Sequence, residues 1–307
     1  MQDNNRNTIL AVALSIIVLI GWNYLYITPR LEQDRQAAEI AAQREATQTG
    51  QTEQQGSATI PQAAEPGTAP TGSESGGSFQ SPSDALANNP RIKITSDLLS
   101  GSINLKGARF DDLKLNAYQE TIDDDSQIIE LLRPSGTENA YFAEFGYTPN
   151  KALGDLPGPT TVWNASSQTL AGNSSVTLDW TNDRGIRFQR EIALDDQYMF
   201  TLTDRITNST GDEIQLTPYG RIARFERPST ENIFVLHEGL IGFFGEEGLQ
   251  EIDYGDVEDA KQLDSPRVDG GWLGITDKYW ATALIPEKSF KPRFAYFDNG
   301  LPLYQSD

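Results

Sequence analysis

The sequence predicts a mainly β protein: a large antiparallel β-sandwich set behind one N-terminal transmembrane helix. Three observations carry that reading. An unbroken apolar run occupies 9–27, a long polar stretch with almost nothing to bury follows it, and from Arg91 onward apolar and polar side chains alternate with a period of two.

The run ILAVALSIIVLIGWNYLYI, Ile9 to Ile27, is nineteen residues long. At about 1.5 Å per residue it makes roughly 28 Å of helix, close to the hydrocarbon thickness of a bilayer. Eleven of its residues are Leu, Ile or Val, which together contribute on the order of −3 to −7 kcal/mol to insertion. Only Ser15 and Asn23 oppose that. Trp22, Tyr24 and Tyr26 gather at the far end, where amphipathic rings favour the headgroup layer, and are assigned to the membrane interface. A buried core helix would carry a polar face and caps, and this run has neither. A cleavable signal would place small residues beyond the apolar run, where Gly21-Trp22-Asn23-Tyr24-Leu25-Tyr26 stands instead. The expectation is therefore an uncleaved anchor at 9–27 preceded by a tail at 1–8. Cation counting, Arg6 before the run against Arg30, Arg35 and Arg44 after it, points the N-terminus outward. A short tail ahead of a long translocated domain fits the opposite orientation equally well, so charge leaves the topology open.

Thr28 as N-cap and Pro29 at the first helical position open a short polar helix over 28–46, with Arg30–Asp34 and Arg35–Glu39 at i,i+4 spacing. From 47 to 90 the chain is mostly Gln, Thr, Ser, Gly, Pro and Ala, with almost nothing to bury. Such a stretch cannot offset its conformational entropy by burial and reads as a disordered tether.

The 307 residues carry 24 Lys and Arg against 44 Asp and Glu, a formal net charge of −20. A field of that sign repels phosphate backbones and anionic headgroups, which argues against nucleic-acid partners and leaves membrane attachment to the apolar run. With no cysteine, disulfides, thiolate nucleophiles and sulfur-ligated metals are excluded, although the compartment is not fixed by that.

The folded part, expected over 91–307, opens with RIKITS at 91–96 and SINLKG at 102–107. SSVTLDWT then places Val176, Leu178 and Trp180 on one face. GIRFQREIAL aligns Ile186, Phe188, Ile192 and Leu194 with Arg190 interrupting; YMFTLTDRI aligns Tyr198, Phe200, Leu202 and Ile206 with Asp204 as the break. Polar turns at 182–185, 195–196 and 208–211 separate these runs and predict consecutive hairpins. One-sided alternation requires a second sheet over the apolar faces, hence a sandwich.

Chemistry is sparse. His237 beside Glu238 could suggest acid/base work on a sugar, but neighbours in a strand point to opposite faces, and the work needs groups on both sides of one ring. The acidic runs 246–259 and 123–125 lack the spacing of a calcium loop and read as a solvated, partly disordered loop and a turn. Phosphate cradles, HExxH and nucleophile elbows are absent, so no catalytic, cofactor-binding or metal-binding residue is assigned. The conspicuous stretch is 268–287, VDGGWLGITDKYWATALIPE. Its glycines permit close backbone approach and its aromatics supply large buried area with polar tips.

RNTIL at 6–10, the anchor carrying Gly21-Trp22, the polar tether, the acidic β region and GGWLGITDKYW at 270–280 together resemble the YidC membrane protein insertases of Gram-negative bacteria. Gly270, Gly271, Trp272, Asp277, Lys278, Tyr279 and Trp280 are the most specific part of the resemblance, with a structural role expected. The resemblance implies an inner-membrane protein with its N-terminus in the cytoplasm and a periplasmic β-supersandwich similar to galactose-mutarotase-like folds. It also implies a non-enzymatic insertase and chaperone that assists integral membrane proteins with or without the Sec translocon. The lipid bilayer, membrane protein substrates and Sec components would be its partners, and no cofactor is expected. The family's further membrane helices have no counterpart here, since no second apolar run of 18 residues follows Ile27. The β domain is accordingly expected to be cut short at Asp307, before its last strands, and a sandwich lacking those strands is expected to present an unpaired strand edge. A membrane-tethered carbohydrate-binding or mutarotase-like protein is the alternative.

Overall fold

The computed structural model describes residues 79–121, 126–228, 237–277, 279–298 and 301–307. The anchor with Trp22, Tyr24 and Tyr26, the polar helix at 28–46, the acidic triplet 123–125 and Lys278 lie outside the described residues. Among the described residues no helix is long and apolar enough to cross a membrane.

A short helix, α1 (Pro82–Ala87), comes first, inside the stretch expected to be tether. Ser81 caps it by accepting from the Asp84 amide, Pro82 sits in its first turn, and Ala85 is its one buried residue. Strands β1 (Arg91–Thr95), β2 (Leu99–Asn104), β3 (Arg109–Gln119), β4 (Ile128–Leu132) and β5 (Tyr141–Tyr147) follow, then β6 (Asn164–Ala165), β7 (Thr169–Ala171), β8 (Ser174–Thr181), β9 (Ile186–Leu194) and β10 (Phe200–Asn208). The remainder is β11 (Pro218–Phe225), β12 (Gly239–Phe244), β13 (Leu249–Asp253), α2 (Tyr254–Ala260), β14 (Gln262–Asp264), β15 (Gly271–Thr276), β16 (Ala281–Leu284), β17 (Arg293–Asp298) and β18 (Pro302–Ser306).

One layer of the sandwich is a ten-stranded sheet in the order β14-β17-β18-β11-β5-β3-β2-β1-β7, with β4 branching from β3. Two four-stranded sheets, β10-β9-β8-β6 and β13-β12-β15-β16, cover it. Both lie on the same face, as β5 demonstrates. Tyr141 and Tyr147 are six residues apart, so their side chains share a side of the strand. Tyr141 donates to the Ile275 carbonyl in β15 (3.2 Å), while Tyr147 reaches Asp204 in β10 (2.7 Å) and packs on Phe188 in β9. The intervening Phe142 and Glu144 point to the other face, where Glu144, almost fully buried, accepts from Arg109 and Arg221.

The alternation in β9 and β10 falls where the sequence indicates, and its two interruptions prove to be partners. Arg190 and Asp204 stand opposite each other in the β9–β10 register. Arg190 donates from Nε and Nη2 to the two Asp204 oxygens at 2.7 Å each. Its Nη1 donates to the Phe145 carbonyl at 3.0 Å. A cation buried on the apolar face is tolerable because its donors are met.

Two expectations need correction. The turn at 208–211 closes no hairpin: β10 ends its sheet and the chain crosses to β11 in the ten-stranded layer. The acidic run 246–259 is ordered, as a 3-10 turn, β13 and α2; Tyr254 and Val257, three residues apart, bury one side and pin it. The last strand, β18, is paired on both sides, with β11 and with β17.

Candidate functional site

Of the signature glycines, Gly271 is explained by the β12–β15 ladder, in which it pairs with Phe244. Gly271 adopts φ +133°, and a Cβ there would lie 2.0 Å from the Phe243 carbonyl oxygen, so no larger residue fits. Trp272 is half-buried opposite Phe243. After β15 the chain turns back on itself, the Asp277 amide donating to the Trp280 carbonyl at 2.7 Å. Both Asp277 oxygens accept from Arg224 Nη1 at 2.7 Å. Arg224 lies over the Tyr141 ring at 4.8 Å, and burial pushes that phenol well above its ordinary pKa against the pull of the cation. Gly271 and Asp277 therefore hold the frame. Tyr279, 72% exposed, and Trp280, packed edge-on against Tyr118 at 4.7 Å, sit where the frame meets solvent.

Beside that aromatic pair opens a groove of about 380 Å³. Its floor is the ten-stranded sheet, with Phe110, Leu113 and Leu115 of β3, Leu132 of β4, and Ala143 and Phe145 of β5. One wall is the turn into β10 and the start of that strand, with Tyr198 and Met199 of the turn and Phe200 and Leu202 of β10. The other is Trp280 and the whole of β16. On a chain of net charge −20, not one of the lining residues is charged. Tyr118, Tyr198 and Met199 stand exposed at the mouth. A tight turn raises the rim: Asp195 accepts from the Gln197 and Met199 amides at 2.7 and 2.8 Å and leaves Tyr198 at φ +71°. Exposed apolar surface gathered in a concavity marks a place where something apolar docks.

The sequence named Trp280 and its neighbours but missed the groove. Its one signal is the triplet Tyr198-Met199-Phe200, three large apolar residues in a row straight after a turn, which a strand alternating between core and solvent does not require.

The carbohydrate reading is not supported. His237 contacts Asp253 and the Leu240 carbonyl, each at 3.2 Å, and lies away from the groove, whose lining has no opposed acid and base. Among the described residues no cluster of His, Asp and Glu could hold a metal ion.

Residues 91–307 match the family described as YidC periplasmic domain. The whole chain is 46% identical over 309 residues to the membrane protein insertase YidC of Rhizobium meliloti (strain 1021), covering 51% of that protein. It is also 46% identical over 310 residues to that of Sinorhizobium fredii (strain NBRC 101917 / NGR234), covering 50%. For that of Brucella melitensis biotype 1 (strain ATCC 23456 / CCUG 17765 / NCTC 10094 / 16M) the identity is 45% over 323 residues, covering 52%. The chain thus spans about half the length of the curated relatives it matches.

Proposed function

The chain belongs to the YidC family of membrane protein insertases, and from that membership we propose that it serves the insertion and folding of integral membrane proteins, with its β domain as the part that meets their apolar segments outside the bilayer. The observation that carries this reading is the uncharged groove in a strongly acidic domain. A membrane-protein segment waiting outside lipid exposes apolar area worth about 25 cal/mol per Å² once covered, and a concave apolar surface offers that cover without closing round the segment. No bond is made or broken in such a role, so no residue here carries a catalytic part. The relatives are named insertases, which supports the reading, and contact with Sec translocon components is part of the same proposal.

Family membership supports the proposed location, with residues 9–27 as the anchor in the bacterial inner membrane, 1–8 in the cytoplasm and the β domain in the periplasm. Absence of cysteine makes the topology testable with single substitutions. In intact cells with a permeable outer membrane, a maleimide that cannot cross the inner membrane should label Ser83→Cys and spare Asn5→Cys; the reverse pattern would overturn the orientation.

The groove is tested by a photocrosslinking amino acid at Met199, on its rim, against the same residue at Glu247, an exposed position in the 3-10 turn. With the full chain in lipid nanodiscs and a purified single-span membrane protein diluted out of detergent, crosslinks should form from position 199 and not from 247. Equal yields, or none from 199, would refute the role.

A further inference from the structure

Side chains of a β-strand alternate between its two faces, so a groove against one face touches every second residue. The groove here touches all four residues of β16, Ala281 to Leu284; of β10 it touches Phe200 and Leu202, after Tyr198 and Met199 of the turn that leads into it. The unbroken run in β16 places the open space along that strand's edge. The sheet orders agree: β10 ends one four-stranded sheet and β16 ends the other, and among the described residues neither has a ladder partner on its outer side. The covering layer is therefore split, with two strand edges bordering one gap above an apolar floor.

We propose that the groove takes an extended polypeptide segment as an added strand in this gap, pairing its backbone with β16 and β10 while alternate apolar side chains settle on the floor. This rests on the reading of the groove as the place where apolar segments dock, and it specifies the form in which they do so. The chemistry selects the occupant. A lipid chain or detergent tail would satisfy the floor but would bury the N–H and C=O groups of two strand edges with nothing to meet them. A helix satisfies its own backbone and offers those edges nothing. Only an extended peptide brings both a repeating row of donors and acceptors and side chains at the two-residue period of the floor. Strand edges of this kind are otherwise blunted by charge, proline or cover; Ala281-Thr282-Ala283-Leu284 has none of the first two. The negative domain further favours segments flanked by cations.

The test uses the full chain in lipid nanodiscs and a fluorescent peptide of eight alternating leucines and threonines flanked by lysines. Its control is the same peptide N-methylated at alternate residues, which keeps the side chains and removes one row of donors. Anisotropy should show the methylated peptide binding at least tenfold more weakly. Hydrogen exchange should slow at amides in both 281–284 and 200–208 on adding the parent peptide, and Met199→Asp on the exposed rim should abolish both effects. If the two peptides bind equally and Met199→Asp still blocks them, strand addition is overturned while the groove stands as a docking surface. Protection confined to one strand would overturn the bridging arrangement. If neither peptide binds, the reading of the groove itself falls.

Discussion

Replacing Asp204 by Asn keeps the size of the side chain and removes its charge, while the Arg190 guanidinium stays 2% exposed against a partner that is 24% exposed. An amide can present one oxygen, so at most one of the two Arg190 contacts survives and the other donor faces an NH₂. Tyr147, which also donates to this carboxylate, competes for the same oxygen. Breaking a buried pair by removing one partner costs about 3–5 kcal/mol; partial hydration of Asp204 brings this to about 2–4 kcal/mol. A domain of this size loses roughly 2–4 °C per kcal/mol, so at about 3 kcal/mol the melting temperature should fall by roughly 6–12 °C. Arg190→Met in the Asp204→Asn background removes the stranded cation and should recover part of the loss, although the Phe145 carbonyl then gives up its donor. Thermal melts followed by circular dichroism decide it. An Asp204→Asn protein melting within about 2 °C of the parent, or a double variant melting below the single one, would refute the assignment of Arg190 and Asp204 as a mutually dependent pair.

The same pair sets a pH dependence. Burial raises the Asp204 pKa, but the hydrogen bonds and charge of Arg190, with the Tyr147 hydroxyl, outweigh it and hold the group below its ordinary 3.8. A depressed carboxyl contributes stability above the unfolded value that is lost as pH falls through the folded one. The gap in melting temperature between the parent and Asp204→Asn should therefore narrow from pH 7 to pH 2; a constant gap would count against it. Gly271→Ala should destabilise by at least about 2 kcal/mol in a denaturant titration, from backbone strain plus overlap with the Phe243 carbonyl. Gly136→Ala, also at positive φ but with nothing within 4 Å, should cost only about 1–2 kcal/mol. Val257→Ala removes two methyl-sized groups from the side that pins α2 and should cost about 1–2 kcal/mol. It should also speed hydrogen exchange through 246–260 while β8 and β9 stay protected; uniform acceleration would mean the acidic run has no local stability of its own.

Strand identity was legible wherever one face is apolar and the other polar, as in β8 and β9, because burial on one side writes a period of two into the sequence. Arg190 and Asp204 look like flaws in that pattern when each is read alone. Only the register, which sets them opposite each other, turns two flaws into one interaction, and register is not written in either strand. The acidic run misleads for a related reason: fourteen residues of mostly charge and glycine hide Tyr254 and Val257, whose worth depends on what lies beneath them. The groove was the least legible, being a property of three sheets at once. Trp280 could be picked out as conspicuous, but what it borders comes from β3, β5 and β10, more than a hundred residues earlier for the first two.

β11 sits inside the ten-stranded layer with β5 on one flank and β18 on the other. Its two neighbours lie far from it in the chain on either side, the second being translated some eighty residues after it. During synthesis β11 must wait, half-clothed, until the segment around Tyr304 has left the ribosome, and closing so long a loop is intrinsically slow. The domain thus spends its own infancy with an open seam, and assembly of its broad sheet is a late event.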